Sequence, residues 1–285
     1  MKYRRRRRAA GRRGKDSASG AGALLLAVLL FAGVVYFVSA SSAGDWLTEN
    51  VMAPLFAAKP TAPAATDSGD TVESVDGSVA VDALEYYAVQ LGVFASKENA
   101  EQLAAAMKEQ GAGGYMLTED GRYRVLACAF EARTDADSVK EKLISGGYDC
   151  TLYEIAVSAD VFAVSAPQEQ LTKMAELLPL MRGSITALGD ISLKFDVESQ
   201  SVEEGVAAVR ALYEDVSAAG NIASLRAVAQ AQAVGGCYDV FVTALKVLAE
   251  QNFEDAVDFS SNIKYTQLQL IHQYMALAGE LASGA

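Results

Sequence analysis

The sequence predicts an α+β protein in which a small βαββαβ domain stands between an apolar N-terminal segment and a C-terminal all-α helical bundle. Three observations lead to this prediction. Residues 17–44 contain no charged side chain, residues 83–157 contain two similar segments 36 positions apart, and residues 158–285 carry apolar stripes at helical spacing. A sheet-forming segment followed by a run of helices is typical of the α+β class.

The charge distribution is strongly asymmetric along the chain. The 285 residues include 24 Lys and Arg against 36 Asp and Glu, which gives a net charge of −12. Nine of the basic residues lie within residues 1–15, so the rest of the chain carries −21. Such an acidic body argues against nucleic acid as a partner, because phosphate neutralisation requires a basic face. With one histidine and three cysteines, the sequence also argues against a histidine-based metal cluster or a Ser-His-Asp triad. We therefore expect no cofactor and no enzymatic activity.

The N-terminal segment predicts a membrane anchor. About 20 apolar residues suffice to cross a bilayer, and residues 17–44 provide them. Basic residues stay on the cytoplasmic side, so residues 1–16 are predicted to form a cytoplasmic tail and the body to lie outside the cytoplasm. The expected location is the cell membrane, with a single span. A cleaved signal peptide is the alternative, because Val38-Ser39-Ala40 has the small residues of a cleavage site.

Two further segments separate this predicted span from the first folded domain. Residues 45–56 place Trp46 and several aliphatic side chains at roughly helical spacing, which predicts a short helix at the membrane interface. Residues 57–82 are rich in Ala, Pro, Thr, Ser, Gly and Asp without a periodic apolar face, which predicts a flexible linker.

Residues 83–157 contain an internal repeat. Residues 87–94 align with residues 123–130, and in each half an alternating strand is followed by a helical stripe that ends at glycine, Gly111 or Gly147. A short strand follows each helix, which gives the order βαββαβ. This is the ferredoxin-like arrangement, with strand order 4-1-3-2, both helices on one face of the sheet and the other face open to bind a ligand.

The motifs of this repeat resemble the SPOR domain, the sporulation-related repeat of bacterial cell-envelope proteins. The resemblance covers about seventy residues and rests on Tyr87-x-Val-Gln90-Leu-Gly92-x-Phe94, Asn99-Ala100, Gly121-x-Tyr123-Arg124-Val125 and Phe130. It implies binding to glycan strands of peptidoglycan, typically those stripped of stem peptides at the division septum. Family members commonly carry a basic tail, one span and a linker before the domain, which is the arrangement predicted for this chain.

Two candidate ligand residues follow from the pleat and are supported by the resemblance. If Val89 and Leu91 face the helices, Gln90 faces outward; an inward Val125 likewise turns Arg124 outward. The first and third strands are neighbours in this fold, so Gln90 and Arg124 are expected side by side. Their amide and guanidinium groups can hydrogen-bond sugar hydroxyls and N-acetyl carbonyls.

Two more candidates complete the predicted glycan site. Arg122 is placed on the same face by pleating alone. Gly92 is expected to form a bulge that re-aims Val93. The resemblance is imperfect here, since a small polar residue is common at the position of Val93 and a glycine at that of Cys128.

Residues 158–285 predict a three- or four-helix bundle after a short extra strand at 161–164. Capping boxes at Ser165–Gln168 and Ser201–Glu204 predict the first two helix starts. A third helix is expected after residue 221 as far as residue 250, with a possible break at Gly235-Gly236. A fourth is expected over residues 254–282. His272 is expected to be a surface or core residue rather than a ligand.

Of two functions from different classes, the sequence favours the first and keeps the second as the alternative. The first is a membrane-anchored peptidoglycan-binding protein of cell division or envelope organisation, whose bundle recruits a protein partner. The second is a structural protein that self-associates through the bundle without binding glycan. Coverage of the open sheet face by the bundle would argue against the first. An envelope hydrolase is disfavoured, because the paired acidic residues Glu119 and Asp120 lie in a turn.

Overall fold

The computed structural model describes residues 73–197, 200–220, 222–225 and 228–283. All of them belong to one compact unit, Asp70–Ala285. Among these residues, no helix combines the length and the apolar character that a membrane span requires.

The predicted N-terminal features lie outside the described residues. This applies to the cytoplasmic tail (1–16), the membrane helix (17–44), the interfacial helix (45–56) and most of the linker (57–82). The structure differs from the sequence expectation at the end of that linker, where Ser74–Val81 form a strand.

Six strands in the described part of the chain form two antiparallel sheets. Their bounds are β1 Ser74–Val81, β2 Leu84–Phe94, β3 Tyr115–Glu119, β4 Arg122–Phe130, β5 Thr151–Val157 and β6 Asp160–Pro167. The four-stranded sheet has the order β3-β4-β2-β5, and β1 pairs with β6. Within the βαββαβ domain, β2 to β5 are strands 1 to 4. Read from the β5 edge, the order is therefore 4-1-3-2, as predicted. The predicted extra strand at 161–164 is confirmed as part of β6.

Six helices complete the described fold. They are α1 Lys97–Lys108, α2 Arg133–Ser145, α3 Gln168–Asp196, α4 Val202–Ser217, α5 Ala229–Glu250 and α6 Ala256–Ser283. The capping box of Ser201 and Glu204 is confirmed at the start of α4. The one predicted at Ser165 is wrong, because Ser165 lies in β6 and Pro167 is the N-cap of α3. Helix α5 runs unbroken through Gly235-Gly236.

The inner face of the four-stranded sheet packs on α1 and α2, as predicted. Its buried side chains come from both repeat halves and form one apolar cluster, which includes Val89, Leu91, Ala100, Met107, Val125 and Ala136. Residues 127 and 128 both face this cluster because the register of β4 against β2 shifts there.

The outer face of the sheet is not fully open, which corrects the sequence expectation. Helix α6 lies against β3, β4 and β5. Outward side chains at this end of the sheet are buried in one cluster with the bundle helices, among them Tyr86, Ala88, Tyr115, Leu117, Leu126 and Ile155. The physical reason is that β2 is apolar on both faces, and a strand of that kind is stable only when both faces are covered.

Polar contacts fix the bundle against the sheet at several points. The hydroxyl of Tyr274 on α6 accepts from the backbone N–H of Asp82 at 3.1 Å and lies 3.2 Å from its carbonyl oxygen. Lys264, also on α6, donates to Asp196 at 2.8 Å and to the carbonyl oxygen of Gly111 at 3.2 Å. These contacts join α6 to the link between β1 and β2, to the end of α3 and to the loop after α1.

The carboxylate of Glu131 makes a second polar connection, between the end of β4 and α3. It accepts from Tyr86 at 2.8 Å, from Arg182 at 3.1 Å and from Thr186 at 2.8 Å. Partial burial acts to raise the pKa of Glu131, but these three hydrogen bonds and the Arg182 charge outweigh it and hold the pKa below its usual value. The carboxylate therefore stays ionised and keeps its hydrogen bonds to β2 and to α3.

Candidate functional site

The uncovered end of the outer face carries all four residues predicted to bind glycan. Their positions follow from the register of the strands. Val93 lies directly opposite Arg124, and Gln90 opposite Leu126. The register of β2 shifts between Gln90 and Gly92, which confirms the predicted irregularity and returns Val93 to the outer face. Helix α6 covers one end of this face and leaves these residues at the other.

Arg124 is the centre of the site. One of its terminal nitrogens donates to the amide oxygen of Gln90, and the other donates to Glu119 at 2.9 Å. Its guanidinium carbon lies 4.1 Å from the ring centroid of Tyr153, in cation–π geometry. The Arg124 side chain is 21% exposed, so this network holds the guanidinium flat on the sheet rather than extended into solvent.

Gln90 continues the network toward the edge strand β5. Its amide nitrogen donates to the hydroxyl of Thr151 at 3.0 Å, while its amide oxygen accepts from Arg124. An amide has two donor hydrogens and two acceptor lone pairs, so one of each remains for a ligand. Arg124 also retains one N–H on each terminal nitrogen, whereas its Nε–H is buried and out of reach of a ligand.

Tyr153 stacks against Arg124 and is tied to the opposite edge of the sheet. Its hydroxyl donates to Glu119 at 3.2 Å, so β5 and β3 are connected across the two central strands. Burial and the Glu119 carboxylate raise the pKa of Tyr153, which keeps this hydroxyl protonated and able to donate. The ring is consequently held in place against Arg124.

A shallow depression of about 540 Å³ lies beside this network. It is lined by Val93, Glu119, Asp120, Arg122 and Arg124. Val93 is 38% exposed, which gives the depression an apolar wall. Arg122 is exposed, and its guanidinium makes no hydrogen bond or ion pair with any described residue.

Sequence reasoning finds the central residues of the site and misses its supports. The structure brings together Gln90, Arg124, Arg122 and Val93 as predicted, and it adds Glu119, Thr151 and Tyr153. For Thr151 and Tyr153 a signal exists in the sequence, because they alternate with Leu152 on β5 and so share one face. Glu119 is predicted only as part of a turn, although it ends β3 directly opposite Arg122.

Other candidate groups have structural roles. His272 packs edge-on against Tyr115 at the contact between α6 and the sheet, with the two ring centroids 6.1 Å apart. In the described part of the chain, no group of His, Cys, Asp or Glu side chains could hold a metal ion. Cys128, Cys150 and Cys237 are buried free thiols.

Fold and site together define a small α+β domain with a polar, partly covered sheet face, fused to a helical bundle. Residues 83–154 match the SPOR domain family. A matching solved structure is the solution structure of the peptidoglycan binding domain of the B. subtilis cell wall lytic enzyme CwlC. The match has 31% sequence identity, covers 25% of this chain and 90% of that chain, and has a TM-score of 0.24. No curated protein matches the chain. The chain therefore contains a SPOR domain at residues 83–154.

Proposed function

We propose that this chain binds glycan strands of peptidoglycan, with a preference for strands stripped of stem peptides. The observation that supports it is the position of Gln90 and Arg124, which lie together on the end of the SPOR sheet that the bundle leaves uncovered. The family match over residues 83–154 is consistent with this assignment, since glycan binding is the function that a SPOR domain implies.

The partial cover of the sheet limits how a strand could lie on it. Leu126 and Tyr115 are buried under the bundle, so a ligand cannot follow the strands along their full length. It can cross them at the exposed end, from Thr151 on β5 toward Glu119 on β3. Neighbouring strands are about 4.8 Å apart, so this path spans about 14 Å between the two outer strands.

We further propose that residues 17–44 anchor the chain in the cell membrane, with residues 1–16 in the cytoplasm and the folded unit outside it. In this arrangement the chain connects the membrane to the cell wall during division or envelope organisation. The basic tail and the uncharged apolar run support the orientation. Self-association through the bundle stays a prediction, which sedimentation at several concentrations would test.

The test of glycan binding is co-sedimentation of the full-length protein, kept in solution by a mild detergent, with peptidoglycan sacculi before and after an amidase removes the stem peptides. Gln90→Ala and Arg124→Ala should each weaken binding by about fivefold or more, as expected for central contact residues. Arg210→Ala, which removes an exposed arginine on α4, is the matched control and should bind like the unaltered protein.

Circular dichroism would verify that each variant is folded before its binding is compared. Binding that rises after amidase treatment and falls only in the two site variants supports the proposal. Absence of binding to both preparations by the folded protein would contradict it.

A further inference from the structure

The two arginines of the site differ in what they are free to bind. Arg124 uses one N–H of each terminal nitrogen for Gln90 and Glu119 and stacks on Tyr153, so only the second N–H of each terminal nitrogen remains for a ligand. Arg122, two residues earlier on the same strand and face, is exposed, and none of its five N–H donors bonds to a described residue. Arg124 thus has a structural role in the sheet beside any contact with a ligand. Arg122 makes no contact with a described residue that would give it such a role.

Removal of a stem peptide changes the charge of the glycan. The peptide is attached through an amide to the lactyl group of the muramic acid sugar. Amidase cleavage breaks that C–N bond with one water molecule, which leaves a carboxylic acid on the sugar and an amine on the released peptide. At neutral pH the acid is ionised. A stripped strand therefore carries one carboxylate, next to one methyl group, at every muramic acid residue.

We propose that Arg122 is the specificity-determining residue that binds this lactyl carboxylate. The inference rests on the proposed glycan binding and assigns the chemical group that the site recognises. A guanidinium can hold a carboxylate through two parallel N–H···O bonds, which a neutral amide of an intact stem peptide cannot match in charge. Selection for stripped strands then arises from a group that exists only after the peptide is removed.

Val93 provides the apolar half of the same subsite. It lies directly opposite Arg124 and diagonally across from Arg122, at a separation that long side chains can span. Its exposed side chain lines the depression that Arg122 also lines. The lactyl methyl group fits against Val93 while the neighbouring carboxylate meets Arg122.

The acidic neighbours restrict which anions the depression can hold. Glu119 lies opposite Arg122 in the strand register, but its carboxylate is engaged by Arg124 and by the Tyr153 hydroxyl. Asp120 is exposed in the turn at φ 50° and opposes an incoming anion. The charges of the two acidic and two basic groups sum to zero, so a carboxylate is held only where it can meet Arg122 directly.

The experiment compares two preparations of stripped strands, one with free lactyl carboxylates and one in which they are converted chemically to primary amides. The full-length protein should bind the carboxylate form about three- to tenfold more tightly, as expected for a partly exposed charge-assisted pair. In Arg122→Gln this difference should disappear, with both forms bound as the unaltered protein binds the amide form.

Asp120→Asn serves as a second variant, because asparagine tolerates the same backbone conformation. It should tighten binding of the carboxylate form and leave the amide form unchanged. Equal binding of both forms by the unaltered protein, or a preference that persists in Arg122→Gln, would overturn the role of Arg122 and leave glycan binding intact. Failure to bind either form would instead overturn the proposed function itself.

Discussion

The hydroxyl oxygen of Tyr115 lies 3.0 Å from Nδ1 of His272, so the sheet and the last helix of the bundle share a hydrogen bond. Burial, together with the nearby Tyr265, raises the pKa of Tyr115, which keeps its hydroxyl protonated. Burial lowers the pKa of His272, against a smaller opposing effect of Glu119. A neutral imidazole with its proton on Nε2 can accept this hydroxyl at Nδ1.

This pair predicts that the free energy of unfolding decreases as the pH falls below about 6.5, the usual pKa of histidine. The pKa of His272 is lower in the folded state, so the unfolded state takes up the proton first and is favoured. The decrease begins at the unfolded pKa and ends below the folded one. Urea titrations between about pH 7.5 and 5.5, a range that brackets the unfolded pKa, measure it. In His272→Asn the free energy of unfolding should depend less on pH. An equal pH dependence in both proteins would contradict the prediction.

The shared core predicts that the sheet domain and the bundle unfold together. Cys128 lies in the inner cluster of the sheet and Cys237 in α5, and burial raises the pKa of each thiol to about 12. Neither thiol should react in the native state, because the thiolate is the reactive form. In rising urea, both should react with a thiol reagent over the same concentration range, measured for each cysteine by mass spectrometry.

A core variant provides the control for this cooperativity. Met181 is fully buried in α3, and Met181→Ala should lower the free energy of unfolding by about 2–5 kcal/mol. It should therefore accelerate the reaction of Cys128 and Cys237 by the same factor. Acceleration at Cys237 alone would mean that the sheet domain folds independently of the bundle.

The local parts of the fold are predictable from the sequence, and the long-range ones are not. The repeat at 87–94 and 123–130 indicates two strands and two helices through periodicity alone. Strand β1 is missed because its composition is that of a linker, and its partner β6 lies far along the chain, with Val81 opposite Asp160. The cover of the outer face does leave a signal, since Leu84, Tyr86 and Ala88 repeat on that face.

In the candidate site, too, the local features are predictable from the sequence and the long-range contacts are not. Gln90 and Arg124 are predictable because a pleat of period two assigns each residue to a face. The stacking of Arg124 on Tyr153 is not, because it joins β4 to β5 over the intervening β2. Side chains that meet across a central strand depend on rotamers that no sequence period encodes.

The surroundings of two helical glycines predict opposite effects of their substitution on the free energy of unfolding. A Cβ on Gly205 would lie 2.6 Å from Cζ of Phe259, whose ring is buried and held edge-on by Phe195 and Phe253. Gly205→Ala should therefore lower the free energy of unfolding by about 1–3 kcal/mol. A Cβ on Gly279 in α6 would meet no atom within 4 Å, so Gly279→Ala should raise the free energy of unfolding by about 0.5–1 kcal/mol. Urea denaturation measures both, and stabilisation by Gly205→Ala would contradict this packing.

The stacking of Arg124 on Tyr153 predicts that the ring of Tyr153 matters more for glycan binding than its hydroxyl. Tyr153→Phe keeps the cation–π contact and loses only the bond to Glu119, so binding to amidase-treated sacculi should change by less than about twofold. Tyr153→Ala removes the stacked ring, frees the guanidinium to move and should weaken binding about fivefold. Co-sedimentation measures both variants, with thermal unfolding as the check of folding. Equal losses in the two variants would show instead that the Glu119 bond positions Arg124.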